Sequence, residues 1–139
     1  LTVKAQHDQD QALRDLLRER PDLRGLRDRT GKGPAFYPAQ LRLGEAIAAG
    51  LEALVSSDAA MLHDQLSGIA ERMVLADVTG QNQVLNAALL VQRSARTRTD
   101  EAIARLSRTL PDRLRLRYIG PQPPYSFVDG ELAGEPVWA

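Results

Sequence analysis

Leu114-Arg115-Leu116-Arg117-Tyr118 alternates apolar and basic side chains one for one. Successive side chains of a β-strand point to opposite faces, so this spacing predicts a strand whose leucines and Tyr118 enter a core while Arg115 and Arg117 face solvent or a partner. Immediately upstream, Ile103, Leu106 and Leu110 recur at three- and four-residue steps, the buried stripe of a helix. Thr97, with Asp100 three positions on, predicts a capping box at that helix's start.

Further toward the N-terminus the apolar runs Met73 to Val78 and Val84 to Val91 are joined by a short stretch containing Gly80, which fits the two strands of a hairpin. A helical reading of either run stays open at this level. Ser56, Ser57 and Asp58 are favourable cap residues and predict a break, with a mere kink as the alternative, before a helical segment carrying Met61, Leu62 and Leu66. Before the break, Leu41, Gly44, Ala48, Leu51 and Val55 form a narrow stripe on a long helix, and its small residues predict close packing by another element. Gly31, Gly33, Pro34 and Pro38 make Asp28 to Pro38 the expected mobile loop. Leu13, Leu16 and Leu17 give a first helix its buried face, with Arg14, Asp15, Arg18 and Glu19 toward water, Asp8 as its cap and Pro21 as its stop. Leu1 to Ala5 alternates as an opening strand.

The resulting order is βαββαβ with extra helices in the first crossover. Helices on one face of an antiparallel sheet bury the apolar sides of both, so the expected class is α+β, a ferredoxin-like sandwich. Residues 1–128 form its single domain, with a proline-rich arm at its end and residues 129–139 as a tail.

Composition narrows the function classes. A chain of 139 residues with 43% hydrophobic content can bury one core without staples. Eighteen basic and 18 acidic residues cancel, removing the positive field that most nucleic-acid and anionic-membrane binders use. Without cysteine neither a disulfide framework nor a thiolate zinc site forms, and a cytoplasmic location is expected. The longest apolar runs fall far below the roughly 20 residues that span a bilayer, so no membrane crossing is expected. No leader is visible, and the lack of an initial Met suggests a fragment.

Directly after the final strand stands Gly120-Pro121-Gln122-Pro123-Pro124-Tyr125-Ser126-Phe127-Val128. Its three prolines lack a backbone donor and fix φ near extended values, so the segment leaves the sheet as a stiff arm bearing Tyr125 and Phe127. This segment after a basic, Leu-rich strand resembles the end of gas vesicle accessory proteins of the GvpL/GvpF family. Leu43-Gly44-Glu45 and Val84-Leu85-Asn86-Ala87-Ala88-Leu89-Leu90-Val91 resemble further family pieces in order and spacing. The resemblance runs from Leu1 to Val128 and corresponds to the C-terminal part of a longer protein. Gln122 stands where many members carry Trp.

The resemblance implies a non-enzymatic assembly factor, located with gas vesicles in the cytoplasm, that binds the shell protein GvpA or other accessory proteins during nucleation. A shell subunit with a large apolar surface aggregates unless that surface is covered, which gives such a factor its physical rationale. Partner-binding candidates are Pro121, Pro124, Tyr125 and Phe127 on the arm and Arg115 and Arg117 on the strand; the arm either seals its own domain or docks a partner. Arg113, Arg115 and Arg117 are read together as one solvated basic face.

No catalytic, metal or cofactor residues are expected. His7 and His63 lack a second histidine at ligand spacing and are read as surface or capping residues. Gly31-Lys32-Gly33 lacks phosphate-loop spacing, and Glu45 is read as an inter-element salt-bridge partner. Tyr118 alone cannot supply the stacking platform of an RNA reader. The alternative class is a small-molecule-binding regulatory module on the same ferredoxin-like sheet.

Overall fold

Alternation in residues 2–7 produces β1 (Thr2–His7), the strand on which the rest is built. The computed structural model describes residues 1–120 apart from Thr79 and Gln81. β1 leads into α1 (Gln9–Glu19), α2 (Pro21–Arg29), a 3₁₀ turn at Pro34–Phe36 and the long α3 (Tyr37–Ser67). The hairpin β2 (Arg72–Leu75) and β3 (Gln83–Leu90) follows, then a second 3₁₀ turn, α4 (Arg96–Thr109) and β4 (Leu114–Ile119). The fold is α+β, with one four-stranded sheet in the order β2-β3-β1-β4 and every neighbouring pair antiparallel.

Register explains the core. Val3 lies between Ala87 and Tyr118, and Ala5 between Leu85 and Leu116, so one sheet face is apolar across three strands. Leu62 and Leu66 of α3 and Ile103 and Leu106 of α4 close over that face. Thr2, Lys4 and Gln6 alternate to the other side. At the end of β1 the pairing with β3 shifts between Ala5 and Gln6, and the His7 N–H donates to the Asn82 carbonyl at 2.7 Å. Asn82 has φ 69°, a left-handed conformation that asparagine tolerates in a turn.

Asp8 caps α1, its Oδ1 accepting from the Gln11 N–H at 3.1 Å. Other local expectations are overturned. Pro21 does not end helical structure: it opens α2, where a first-turn position needs no N–H. The expected loop is shorter than read, because α2 extends to Arg29 and the 3₁₀ turn takes Pro34–Phe36. α3 runs unbroken through Ser56, Ser57 and Asp58, since Asp58 is buried against distant partners instead of capping a helix. Thr97 lies inside α4, which starts without a side-chain cap, and Asp100 accepts from Arg96 and Tyr118.

The buried stripe of α3 is Gly50, Leu54, Asp58, Leu62 and Leu66. A strict four-residue step advances about 40° around a helix each time, so this stripe turns progressively around α3. At Gly50 an added Cβ would come 2.9 Å from Leu16 Cδ2 of α1, and about three to four turns later Leu62 and Leu66 lie in the sheet core. The expected close approach at Gly44 and Ala48 is therefore displaced to Gly50. Gly44 has nothing within 4 Å of its Cβ direction, and Leu41 is 65% exposed.

Candidate functional site

Three arginines at alternate positions in and just before β4 do not form one face of equal character. Arg115 and Arg117 lie exposed on β4, level with Gln6 and Lys4 of β1. Arg115 donates to Asp8 Oδ2 at 2.8 Å, linking the strand to the cap of α1. The Gln11 backbone N–H, aided by Arg115, holds the Asp8 carboxyl below its ordinary value. These two predicted partner-binding residues are together on the outer sheet face. Pro121, Pro124, Tyr125 and Phe127 lie outside the described residues, as does the tail at 129–139.

Arg113, read as solvated, is instead the hub of a buried ionic cluster. Its Nε and Nη2 donate to Asp58 Oδ2 and Oδ1, each at 2.8 Å, a two-pronged grip that a planar guanidinium is shaped to make. Its Nη1 donates to Asp15 Oδ2 at 3.1 Å. His7, also read as a surface residue, is 7% exposed and donates from Nε2 to Asp58 Oδ2 at 2.7 Å. Asp15, expected to face water, is 2% exposed and also accepts from Gln11 and Arg18.

The cluster thus ties β1, α1, α3 and the approach to β4 at one end of the sheet. Burial pushes the Asp58 carboxyl up, but hydrogen bonds and charge from Arg113, with His7, hold it down at about 2. The same pairing, with Asp58 foremost, raises Arg113. Among the described residues no buried side-chain nitrogen or oxygen lacks a hydrogen-bond partner. Such a set, in which each buried polar atom has a partner, locks elements together.

A second polar tie joins β4 to α4. The Tyr118 hydroxyl donates to Asp100 Oδ1 at 2.6 Å, and Arg96 donates to the same oxygen at 3.0 Å. Burial, then the Asp100 contact, pushes the Tyr118 phenol up to about 12.

Other expectations are resolved by position. Glu45 is exposed on α3, and none of the ion pairs among the described residues includes it. The Gly31 carbonyl accepts from Gln40 at 2.8 Å, so this glycine segment is tied to α3. No group of three or more His, Asp or Glu residues among those described could hold a metal ion. Beside His7, a cleft of about 390 Å³ opens between α1 and α3, with Ala12, Leu51, Glu52, Val55 and Asn82 on its walls.

The model of the gas vesicle synthesis protein GvpL/GvpF family matches residues 1–129. The chain belongs to the GvpL/GvpF family. Gas vesicle protein F of Streptomyces sp. (strain CB03234) is 34% identical over 128 residues, covering 91% of this chain and 53% of that protein. The Haloferax mediterranei protein of the same name is 35% identical over 97 residues, covering 68% and 46%. The crystal structure of GvpF from Anabaena sp. PCC7120 superposes with TM-score 0.77 at 22% identity, covering 92% of this chain and 52% of that one. GvpF from Microcystis aeruginosa gives 0.65 at 22% identity, covering 92% and 53%.

This GvpL/GvpF family member spans about half the length of the curated relatives it matches. The solved GvpF structures share its α+β fold. Among the described residues no helix is long and apolar enough to cross a membrane. The buried cluster ties β1, α1 and α3 to the approach to β4, while Arg115 and Arg117 of β4 are exposed.

Proposed function

We propose that this chain acts without catalysis in gas vesicle assembly, binding the shell protein GvpA or another accessory protein during nucleation and covering apolar shell surface before it aggregates. The family match across residues 1–129 carries this reading. Its physical support is that a strongly apolar building block needs a cover until it is incorporated. The contact surface proposed is Arg115 and Arg117 on β4, continued by Pro121, Pro124, Tyr125 and Phe127. The setting is the cytoplasm, at the growing vesicle.

Pull-down of GvpA and of other gas vesicle accessory proteins by the purified chain tests this. The unmodified chain retains at least one of them, and the pair Arg115→Glu/Arg117→Glu weakens retention about tenfold, on the order of 1.4 kcal/mol. The pair Tyr125→Ala/Phe127→Ala reports separately on the arm. Failure of the unmodified, folded chain to retain any gas vesicle protein overturns the proposal.

A further inference from the structure

The cleft between α1 and α3 is walled by two kinds of group. Ala12, Leu51 and Val55 are buried or half-buried and give it an apolar floor. Glu52, Ser56 and Asn82 are exposed and bring oxygen acceptors to its rim. No lysine or arginine lines it, and none of the ion pairs among the described residues includes Glu52. The cleft therefore carries a negative charge that no protein cation balances.

His7 adds an acceptor of fixed direction. Its side chain is 3% exposed, yet it lines the cleft. The Asp58 carboxylate, gripped by Arg113, only accepts, so the proton of the neutral ring sits on Nε2. Nδ1 is left as a bare acceptor, with no hydrogen-bond partner among the described residues. Because no fully buried side-chain nitrogen among them lacks a partner, Nδ1 is not sealed in, and the cleft is the space on which His7 opens. Contact with a carboxylate at one ring nitrogen sets the tautomer and orientation in which the other meets a ligand.

We propose that this cleft binds an ammonium group on an apolar stem, the nitrogen donating to His7 Nδ1 and facing the Glu52 carboxylate while the stem lies on Leu51 and Val55. An ammonium has three N–H donors and no acceptor, which matches a site made of acceptors. An anion finds no counter-charge there, and an alcohol satisfies Nδ1 but leaves Glu52 unbalanced. At about 390 Å³ the cleft has room for a four-carbon stem such as lysine's. A free alkylamine and the side chain of another protein's lysine share this chemistry.

Long-range proton–nitrogen correlation NMR on the folded, nitrogen-labelled 139-residue chain reads the ring nitrogens directly. The chain has two histidines, and His63, exposed on α3, is the internal control. Free protein in mildly alkaline buffer, where an alkylamine keeps its charge, shows His7 with a protonated Nε2 and a bare Nδ1. Titration with n-butylammonium moves the Nδ1 signal upfield and leaves His63 in place, with half-saturation on the order of a millimolar. The uncharged n-butanol binds about fivefold more weakly or worse, and Glu52→Gln, a change on an exposed side chain, weakens the amine about threefold. Lysine blocked at both backbone ends separates the sources: a response equal to that of n-butylammonium assigns the site to a lysine side chain, and its exclusion while the small amine binds assigns it to a free amine. The proposal is overturned by a proton on Nδ1 in the free protein, by a His7 signal unmoved through the titration, by equal binding of n-butanol, or by an affinity that Glu52→Gln leaves unchanged.

Discussion

At the scale of single residues, Arg113 carries more of the architecture than its neighbours on β4. It has a side-chain exposure of 12% and serves two carboxylates whose own side chains are 3% and 5% exposed. Removing it leaves both acids desolvated without their counter-charge. Arg113→Met is therefore expected to cost about 3–5 kcal/mol, the penalty for breaking a buried pair from one side. Arg113→Lys restores charge but cannot grip both Asp58 oxygens while reaching Asp15, so it recovers only part. Urea unfolding of the three proteins orders them, and equal stability of Arg113→Met and the parent contradicts the hub role. Asp58 adds a pH dependence of definite sign. Its carboxyl is held at about 2, below the ordinary 3.8, so the folded state binds its proton less tightly than the unfolded chain. The stabilisation is fully present above about pH 4 and is lost as pH falls toward 2, amounting to roughly 2 kcal/mol. Asp8, Asp22 and Asp100 are lowered too and act in the same direction. The difference in urea midpoint between parent and Asp58→Asn isolates the Asp58 share: it shrinks across that window and stays level above it.

At the scale of elements, α3 does two jobs along one continuous 31-residue helix. Its N-terminal half exposes the stripe from Tyr37 to Ala48, and its C-terminal half fills the sheet core. The changeover is Gly50, where the Leu16 methyls occupy the place of a side chain at 2.9 and 3.0 Å. Gly50→Val is expected to destabilise by about 1–3 kcal/mol through overpacking, despite valine's better helix propensity. Valine at Gly44, where the Cβ direction is open, leaves the fold intact; thermal unfolding of the two variants separates the sites. What was legible in the sequence divides along the same physical line. β1, α4 and β4 were readable because their apolar residues repeat with the period of the element itself, and the hairpin because two apolar runs flank the stretch containing Gly80, although those runs alone left a helical reading open. The exposure of Arg115 and Arg117 follows from that same alternation. The continuity of α3 was not readable, because Ser56-Ser57-Asp58 has the local chemistry of a cap. Asp58 is held in mid-helix by His7 and Arg113, 51 and 55 positions away. His7 and Asp15 were misplaced for the same reason: pairing across the fold satisfies their polar groups, and local pattern carries no trace of it.

At the scale of the whole molecule, strand order and the ionic cluster together set which parts open first. β1 and β3 are central in the sheet, paired on both sides, while β2 and β4 each pair with one strand among the described residues. Val3, Ala5, Ala87 and Leu89 on the central strands are at most 2% exposed, as are Leu62 and Leu66 on α3. α2 buries only Leu23 and sits beside the irregular Thr30–Gly33 segment. Amide hydrogen exchange is therefore expected to show its slowest rates, set by global unfolding, in β1, β3 and the second half of α3. α2 and the N-terminal turns of α3 open locally and exchange orders of magnitude faster. The cluster adds a second expectation. Because Arg113, Asp15, Asp58 and His7 bind four elements into one unit, α1 is expected to share the protection of the sheet although its packing is lighter. Arg113→Met uncouples them, so α1 amides then exchange faster than those of β1 and β3, where in the parent both open together. Exchange followed by mass spectrometry on parent and variant reads this directly. Uniform acceleration of every element in the variant shows that the cluster adds stability without coupling. Loss of α1 protection alone shows that it is the joint between the helical layer and the sheet.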